Sequence, residues 1–217
     1  MIHQFGSETA LLLIDVQKGV NVLSHWGGPN GRRNNPDADD HMRKLLAGWR
    51  DRGLTVIYTR HDSREPDSPL KLHLPTGQMI DGFEGREGEI IIEKDVNSAF
   101  VGTDLELRLR QHGIQRLVVV GYFTNFCVET SVRMSGNMGY DTYLIHDACA
   151  TCNHIGPDGV DHDPELIHQI SVANLHGEFC TALTTDTALK LLDADAPDLH
   201  RAQGNEETAA APVVRAV

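Results

Sequence analysis

Residues 117–138 read LVVVGYFTNFCVETSVRMSGNM, and this stretch decides how the rest of the chain is arranged. Its first four residues, Leu117 to Val120, are apolar without alternation, the pattern of a strand buried on both faces of a parallel sheet. Gly121 interrupts the run, Thr124 and Asn125 supply turn chemistry, and Cys127 opens a segment with helical spacing. Val128, Val132 and Met134 fall near one face of that segment, while Glu129 and Arg133 stand four apart as opposite charges. The spacing predicts a strand, a turn and a helix, with Cys127 at the helix N-terminal end. Unpaired N–H groups and the helix dipole meet there, so the thiol pKa is expected to fall and an oxyanion to find donors. A lone cysteine is more often a small buried hydrophobe. Its place on this turn points instead to a reactive thiol.

Working outward, further apolar runs end in a charged or reactive residue. Ala10 to Ile14 is followed by Asp15, Leu54 to Thr59 by Arg60, His61 and Asp62, and Glu89 to Ile92 by Lys94 shortly beyond. Asp141 to Ile145 leads into Asp147, Cys149 and Thr151, and Phe179 to Leu183 reads as a last short strand. Helical spacing fills the intervals. One helix runs from Ala38 through Met42, Leu45, Leu46 and Trp49 to a stop at Gly53. A second, capped by Thr103, carries Leu105, Leu107 and Leu109. A third starts near Asp163 and sets Leu166, Ile167, Ile170 and Ala173 on its face, and Thr187 to Leu192 forms a final turn or two. Strand and helix alternate about six times without internal repeats, which predicts a six-stranded parallel sheet in an α/β fold, its helices on both faces through right-handed crossovers. Residues 1–193 are read as one domain, and residues 194–217, rich in Ala, Asp and Pro without periodicity, as a mobile tail.

The 217 residues carry a formal net charge of -12, which argues against a nucleic-acid or anionic-membrane surface. No apolar run approaches the roughly 18 residues of a membrane span, and the start MIHQFGSETA lacks the pattern of a secretory signal. Four cysteines in a chain of this length do not make a disulfide scaffold, so a reducing cytoplasm is the expected location.

A parallel sheet brings the carboxyl ends of its strands to one rim, where ligands collect. Asp15, Lys94 and Cys127 share that rim. An acid, a cation and a thiol together make a nucleophilic site: the cation stabilises the thiolate, and the acid accepts the thiol proton and later delivers it to a leaving amine.

The pieces LLLIDVQ, IIEKDVNSAFVGTDLE, GYFTNFCVETSVRM and GYDTYLIHDACAT, with the loop HDSREPDSPL, resemble in content and order the isochorismatase-like cysteine hydrolases, relatives of nicotinamidases and N-carbamoyl amide hydrolases. The resemblance spans nearly everything from residue 8 to about residue 190. It implies a Rossmann-like three-layer α/β/α fold and a triad of Asp15, Lys94 and Cys127. It also implies a cis peptide between Tyr122 and Phe123, with the backbone N–H groups of Phe123 and Cys127 forming an oxyanion hole. The reaction it implies is hydrolysis of a small amide or related C–N bond through a thioester, by a homo-oligomer, dimer or tetramer, that needs no cofactor. Nicotinamidases hold a metal through an Asp-x-His pair and a further His after the second strand. Here His61 precedes Asp62, so no metal is expected, although His73 could approach His61. His61 is read instead as a substrate-pocket or structural residue. True isochorismatases cleave a vinyl ether and need no nucleophilic cysteine, so that activity is the alternative.

Weaker signals surround the site. Trp26, in the Gly-, Asn- and Pro-rich loop 19–36, and Tyr122 and Phe126 are candidates for an apolar pocket wall. Asn97 and Ser98 are candidates for orienting the rim. Cys149 and Cys152 form a lone C-x-x-C after a strand, read as structural. A thiol redox sensor or a non-catalytic scaffold on the same fold is the alternative from a different class; a sensor would pair Cys127 with Cys149, Cys152 or Cys180.

Overall fold

The structure is a computed structural model that describes residues 4–193. Its strands are β1 (Thr9–Ile14), β2 (Val56–His61), β3 (Ile90–Lys94), β4 (Arg116–Tyr122), β5 (Asp141–Ala150), β6 (His154–Ile155), β7 (Asp161–His162) and β8 (Thr181–Leu183). Six of them form one sheet in the order β3-β2-β1-β4-β5-β8, and every neighbouring pair is parallel. The pair β6 and β7 makes a separate antiparallel hairpin. The helices are α1 (Leu23–Trp26), α2 (Ala38–Asp51), α3 (Leu105–Gln111), α4 (Glu129–Asn137), α5 (Pro164–Leu175) and α6 (Thr185–Leu192). None is long and apolar enough to cross a membrane.

Unbroken apolar runs become central strands because alternate residues serve two cores. Leu11, Leu13, Val118 and Val120 pack under Met42, Leu45 and Trp49 of α2 and Leu191 and Leu192 of α6. Their neighbours Ala10, Leu12, Ile14, Leu117 and Val119 pack on the opposite face under Leu105 and Leu109 of α3, Val132 of α4 and Leu175 of α5. Each of the buried Val, Leu and Ile side chains contributes roughly 1.5–3 kcal/mol by leaving water. The three layers of the α/β/α sandwich follow directly.

From β1 the chain builds outward through β2 to β3, then returns to add β4 on the other side of β1. The crossovers therefore diverge at the carboxyl ends of β1 and β4, where a crevice opens in folds of this kind. Gly121 makes the closeness of these two strands possible. It pairs with Ile14 at φ +124°, and a Cβ there would lie 2.2 Å from the Ile14 carbonyl oxygen.

Several boundaries differ from the sequence reading. Strand β5 continues to Ala150, because after the register shift between Val119 and Gly121 its second half pairs with Gly121 and Tyr122. Thr103 stands one residue before the α3 cap, Asp104, and its hydroxyl still accepts from Leu105 N–H at 3.3 Å. Helix α6 starts at Thr185, capped by the Thr184 hydroxyl. The face assigned to the third helix is wrong: Leu166 and Ile170 of α5 are 49% and 52% exposed, and Ala173 is exposed as well. The buried face carries His168, Ser171 and Leu175. His168 can take a buried place because its Nδ1 meets the Thr124 hydroxyl at 2.9 Å, so a polar residue is satisfied where periodicity alone asked for an apolar one. The tail assigned to residues 194–217 lies outside the described residues.

Candidate active site

Asp15 is the first residue past β1, His61 and Lys94 close β2 and β3 as register partners, and Cys127 sits in a π-helical turn, Thr124–Val128, between β4 and α4. All four side chains are buried and converge at the carboxyl rim of the sheet.

The backbone of Asp15 is left-handed, φ +50°, a conformation that costs a non-glycine residue of the order of 1 kcal/mol or more. Thr59, from the middle of the rim end of β2, stabilises it from two directions. Its Oγ1 accepts the Asp15 N–H at 3.0 Å and donates to Asp15 Oδ1 at 2.5 Å. The carboxylate is thereby aimed with its other oxygen, Oδ2, toward Lys94 and Cys127. Gln17 performs a similar service for β2: its Oε1 accepts His61 N–H at 2.8 Å, and its Nε2 donates to the His61 carbonyl at 3.1 Å. Neither Thr59 nor Gln17 was singled out from the sequence. Gln17 belongs to the quoted LLLIDVQ run, and an amide side chain two residues after Asp15 was the available signal.

Lys94 Nζ is the hub. It stands at hydrogen-bond distance from His61 Nδ1 (2.7 Å), the Val96 carbonyl (3.1 Å) and Cys127 Sγ (3.3 Å). Asp15 Oδ2 is 2.7 Å away as an ion pair but outside hydrogen-bond alignment, and it accepts no hydrogen bond from any described residue. The carboxylate thus has the cation's charge beside it while Oδ2 itself is left open to accept a proton.

Electrostatics follow from burial and this pairing. Burial, the largest influence, would raise the Asp15 pKa, but the Lys94 ammonium and the His61 ring together outweigh it and hold the carboxyl at about 2. Burial likewise works most strongly against the Lys94 charge, and the Asp15 carboxylate and the Cys127 sulfur together overcome it, so the lysine is held above its ordinary range. Cys127 goes the other way from the sequence reading. Desolvation first and the Asp15 carboxylate second push its thiol up, and Lys94 offsets them only in part. The ammonium's charge is already matched by Asp15, so a second buried anion has no counter-charge of its own. The helix offers less than expected too, because regular α-helix starts only at Glu129 and the sulfur rides on the π turn before it.

The peptide between Tyr122 and Phe123 is cis. The Phe123 N–H meets no acceptor among the described residues.

A cavity of about 530 Å³ opens over the sulfur. Trp26 and Phe123 meet edge to face at 4.9 Å on one wall, with the indole N–H held by the Gly19 carbonyl at 2.9 Å. Phe126, whose ring meets that of Phe123 at 6.5 Å, packs edge to face on His154 at 5.7 Å. Tyr122 contributes its ring, its hydroxyl being engaged by Arg33 at 3.1 Å and by Asp39. The long loop 19–36 is tied over the site by Asn153, whose side chain bridges the Gly27 carbonyl and the Arg32 N–H at 2.9 Å each. Asn97 reaches the cavity, whereas the Ser98 hydroxyl accepts the Phe100 N–H. A second cavity of about 540 Å³, beside α5 and lined by His146, Glu165 and His168, contains no cysteine or lysine.

Asp15, His61 and Cys127 also bring three potential ligand atoms within 4.8 Å of one another, the one such group among the described residues. The Lys94 ammonium already fills the place a cation would take among them, so this donor set fits an ammonium rather than a metal. His73 is exposed and takes no part. Cys149, Cys152 and Cys180 are buried free thiols.

Comparison with known proteins adds to this geometry. The family model described as "Isochorismatase domain" matches residues 9–187. The chain is 43% identical over 183 residues to the uncharacterized isochorismatase family protein YrdC of Bacillus subtilis, covering 82% of this chain and 92% of that one. It is 31% identical over 227 aligned residues to the ureidoacrylate amidohydrolase RutB of Agrobacterium fabrum, covering 88% and 92%. Among solved structures, an isochorismatase-family protein from Chromobacterium violaceum superposes with a TM-score of 0.81 at 40% identity, covering 88% of this chain and 97% of that one.

Proposed function

The chain belongs to the isochorismatase family of hydrolases, and from that premise we propose that it opens a small amide or a related C–N bond with Cys127 as nucleophile and without a metal. The observation that carries this reading is the Lys94 hub: one N–H aimed at the sulfur, and a carboxylate oxygen beside it that is ion-paired yet free of hydrogen bonds. Because the resting thiol is protonated, attack and proton transfer go together. Sγ bonds to the carbonyl carbon while its proton passes to Asp15 Oδ2, and Lys94 balances the charge left on the cluster. The carbonyl oxygen takes up the electron pair of its π bond, and the backbone N–H groups of Phe123 and Cys127 receive it.

Collapse of the tetrahedral adduct breaks the C–N bond. The nitrogen takes the Asp15 proton and leaves as ammonia or an amine, and a thioester remains on Cys127. Asp15, ionised again, then removes a proton from water as the water oxygen attacks the thioester. A second collapse releases the carboxylic acid and restores the thiol. RutB, an amidohydrolase by name, supports a C–N bond as the target. Vinyl ether cleavage gives the cluster's nucleophile nothing to do. The sensor reading is disfavoured by the burial of Cys149, Cys152 and Cys180, whose thiols are all pushed up by desolvation.

The test is product analysis. Purified protein is expected to release ammonia or amine from members of a panel of small carboxamides and ureido compounds, and no pyruvate from isochorismate. Pyruvate release without any amide turnover would defeat the reading.

A further inference from the structure

His61 is placed with unusual care for a pocket-lining residue. Its backbone is held on both sides by the Gln17 amide, and its register partner across the β2–β3 pair is Lys94 itself. Its Nδ1 lies 2.7 Å from Lys94 Nζ, against 3.6 Å from Asp15 Oδ2 and 3.7 Å from Cys127 Sγ. An ammonium has donors only, so a nitrogen at hydrogen-bond distance from it must be the unprotonated one. The ring is then the neutral imidazole with its proton on Nε2. That Nε2–H has no acceptor among the described residues, and the ring lines the cavity.

We propose that His61 is a positioning residue for the hydrolysis: its Nδ1 takes one ammonium proton of Lys94, which keeps that ammonium turned away from the Asp15 lone pair, and its Nε2–H faces the substrate as a hydrogen-bond donor. The inference rests on the cysteine hydrolase reading for its consequence and on geometry alone for its cause. Lys94 has three N–H groups, and His61, Val96 and Cys127 take all three. Removing the imidazole acceptor releases one of them, and the nearest free acceptor is Asp15 Oδ2 at 2.7 Å. A directed hydrogen bond there would engage the very oxygen that has to receive the thiol proton and lower its basicity. The ammonium would also rotate off the sulfur. The charged and titratable groups facing the ring are Asp15 from the end of β1, Lys94 from β3 and Cys127 from the π turn, with His25, Glu65 and His154 around the same cavity.

Two readouts separate the cause from the consequence. The first is the tautomer, read from the nitrogen shifts of histidine-labelled protein near neutral pH, with His61 assigned by the signals lost in His61→Asn. The expected result is an unprotonated Nδ1 and a protonated Nε2; an Nδ1–H tautomer or an imidazolium would overturn the proposal, whatever the enzyme hydrolyses. The second is turnover. His61→Phe keeps the ring volume without an acceptor and is expected to lower kcat about tenfold or more, the scale of a misaligned reacting group. His61→Asn, which offers an amide oxygen near the Nδ1 position, is expected to recover most of that loss. Equal kcat in wild type and His61→Phe, or equal loss in both variants with intact folding, would overturn it. Should the expected tautomer be found in a protein that hydrolyses no amide, the failure lies with the proposed reaction and not with the His61–Lys94 arrangement.

Discussion

Lys94 Nζ lies 2.7 Å from Asp15 Oδ2 with both side chains sealed from solvent. An isolated charge at either place would be too costly to keep, so the two groups exist as ions only because of each other. Lys94→Met is therefore expected to strand a buried carboxylate and cost about 3–5 kcal/mol of stability, in addition to abolishing turnover. Chemical denaturation measures this, and an unchanged midpoint would contradict the ion-pair account.

Thr59 holds Asp15 in its left-handed backbone conformation through one accepted and one donated hydrogen bond. Thr59→Val keeps the shape and removes both bonds, leaving a buried N–H and a buried carboxylate oxygen unsatisfied. The expected cost is about 1–3 kcal/mol in stability. The aim of the carboxylate is lost as well, so kcat is expected to fall by about a factor of 10². Wild-type kcat in a stably folded Thr59→Val protein would show that Thr59 plays no part in aiming the base.

Asp15 also ties stability to acid. Its carboxyl is held at about 2, below its unfolded value of 3.8. A depressed carboxyl contributes stability that is complete above the unfolded value and drains away as pH falls through the folded one, here between about pH 4 and pH 2. Denaturation midpoints measured across that window are expected to drop less steeply in Asp15→Asn than in wild type, because the asparagine has no proton to gain. Identical slopes would remove Asp15 from the acid response.

The thiol responds in the opposite sense. Burial and the neighbouring carboxylate push Cys127 above the ordinary thiol range, so the folded state retains its proton. The stability this contributes is present below the unfolded thiol pKa of about 8.5 and declines as pH rises above it. Alkylation of Cys127 by iodoacetamide, followed by peptide mass, is expected to keep accelerating beyond about pH 8.5. A plateau reached near neutral pH would mean a pre-formed thiolate and a different division of labour between Lys94 and Asp15.

How much of this was readable from the sequence depends on which side of a strand end a residue stands. Asp15, Lys94 and Cys127 drew notice because each interrupts or follows an apolar run, and parallel pairing sends such positions to a common rim. Thr59 and Gln17 did not, since one completes a strand and the other looks like a loop amide; their value lies in contacts 44 residues away in sequence. His61 was legible as a pocket residue, but its contact with Lys94 depends on β2–β3 register, which an apolar pattern does not specify. The direction of the Cys127 shift was misread for a physical reason. A helix terminus is an argument about one field, and full burial beside an existing anion is a larger one. The exposed Leu166 and Ile170 of α5 show the same limit in packing, where the position of the sheet chooses the buried face and His168 pays its cost through Thr124.

The most direct measurement is turnover by Cys127→Ala on an amide that the wild-type protein hydrolyses, with folding checked by circular dichroism. The substitution removes the thiol and leaves a methyl in a site held by Asp15, Lys94 and the π turn, so the fold is expected to persist and hydrolysis to vanish. A folded Cys127→Ala protein that hydrolyses the amide at the wild-type rate would contradict the account.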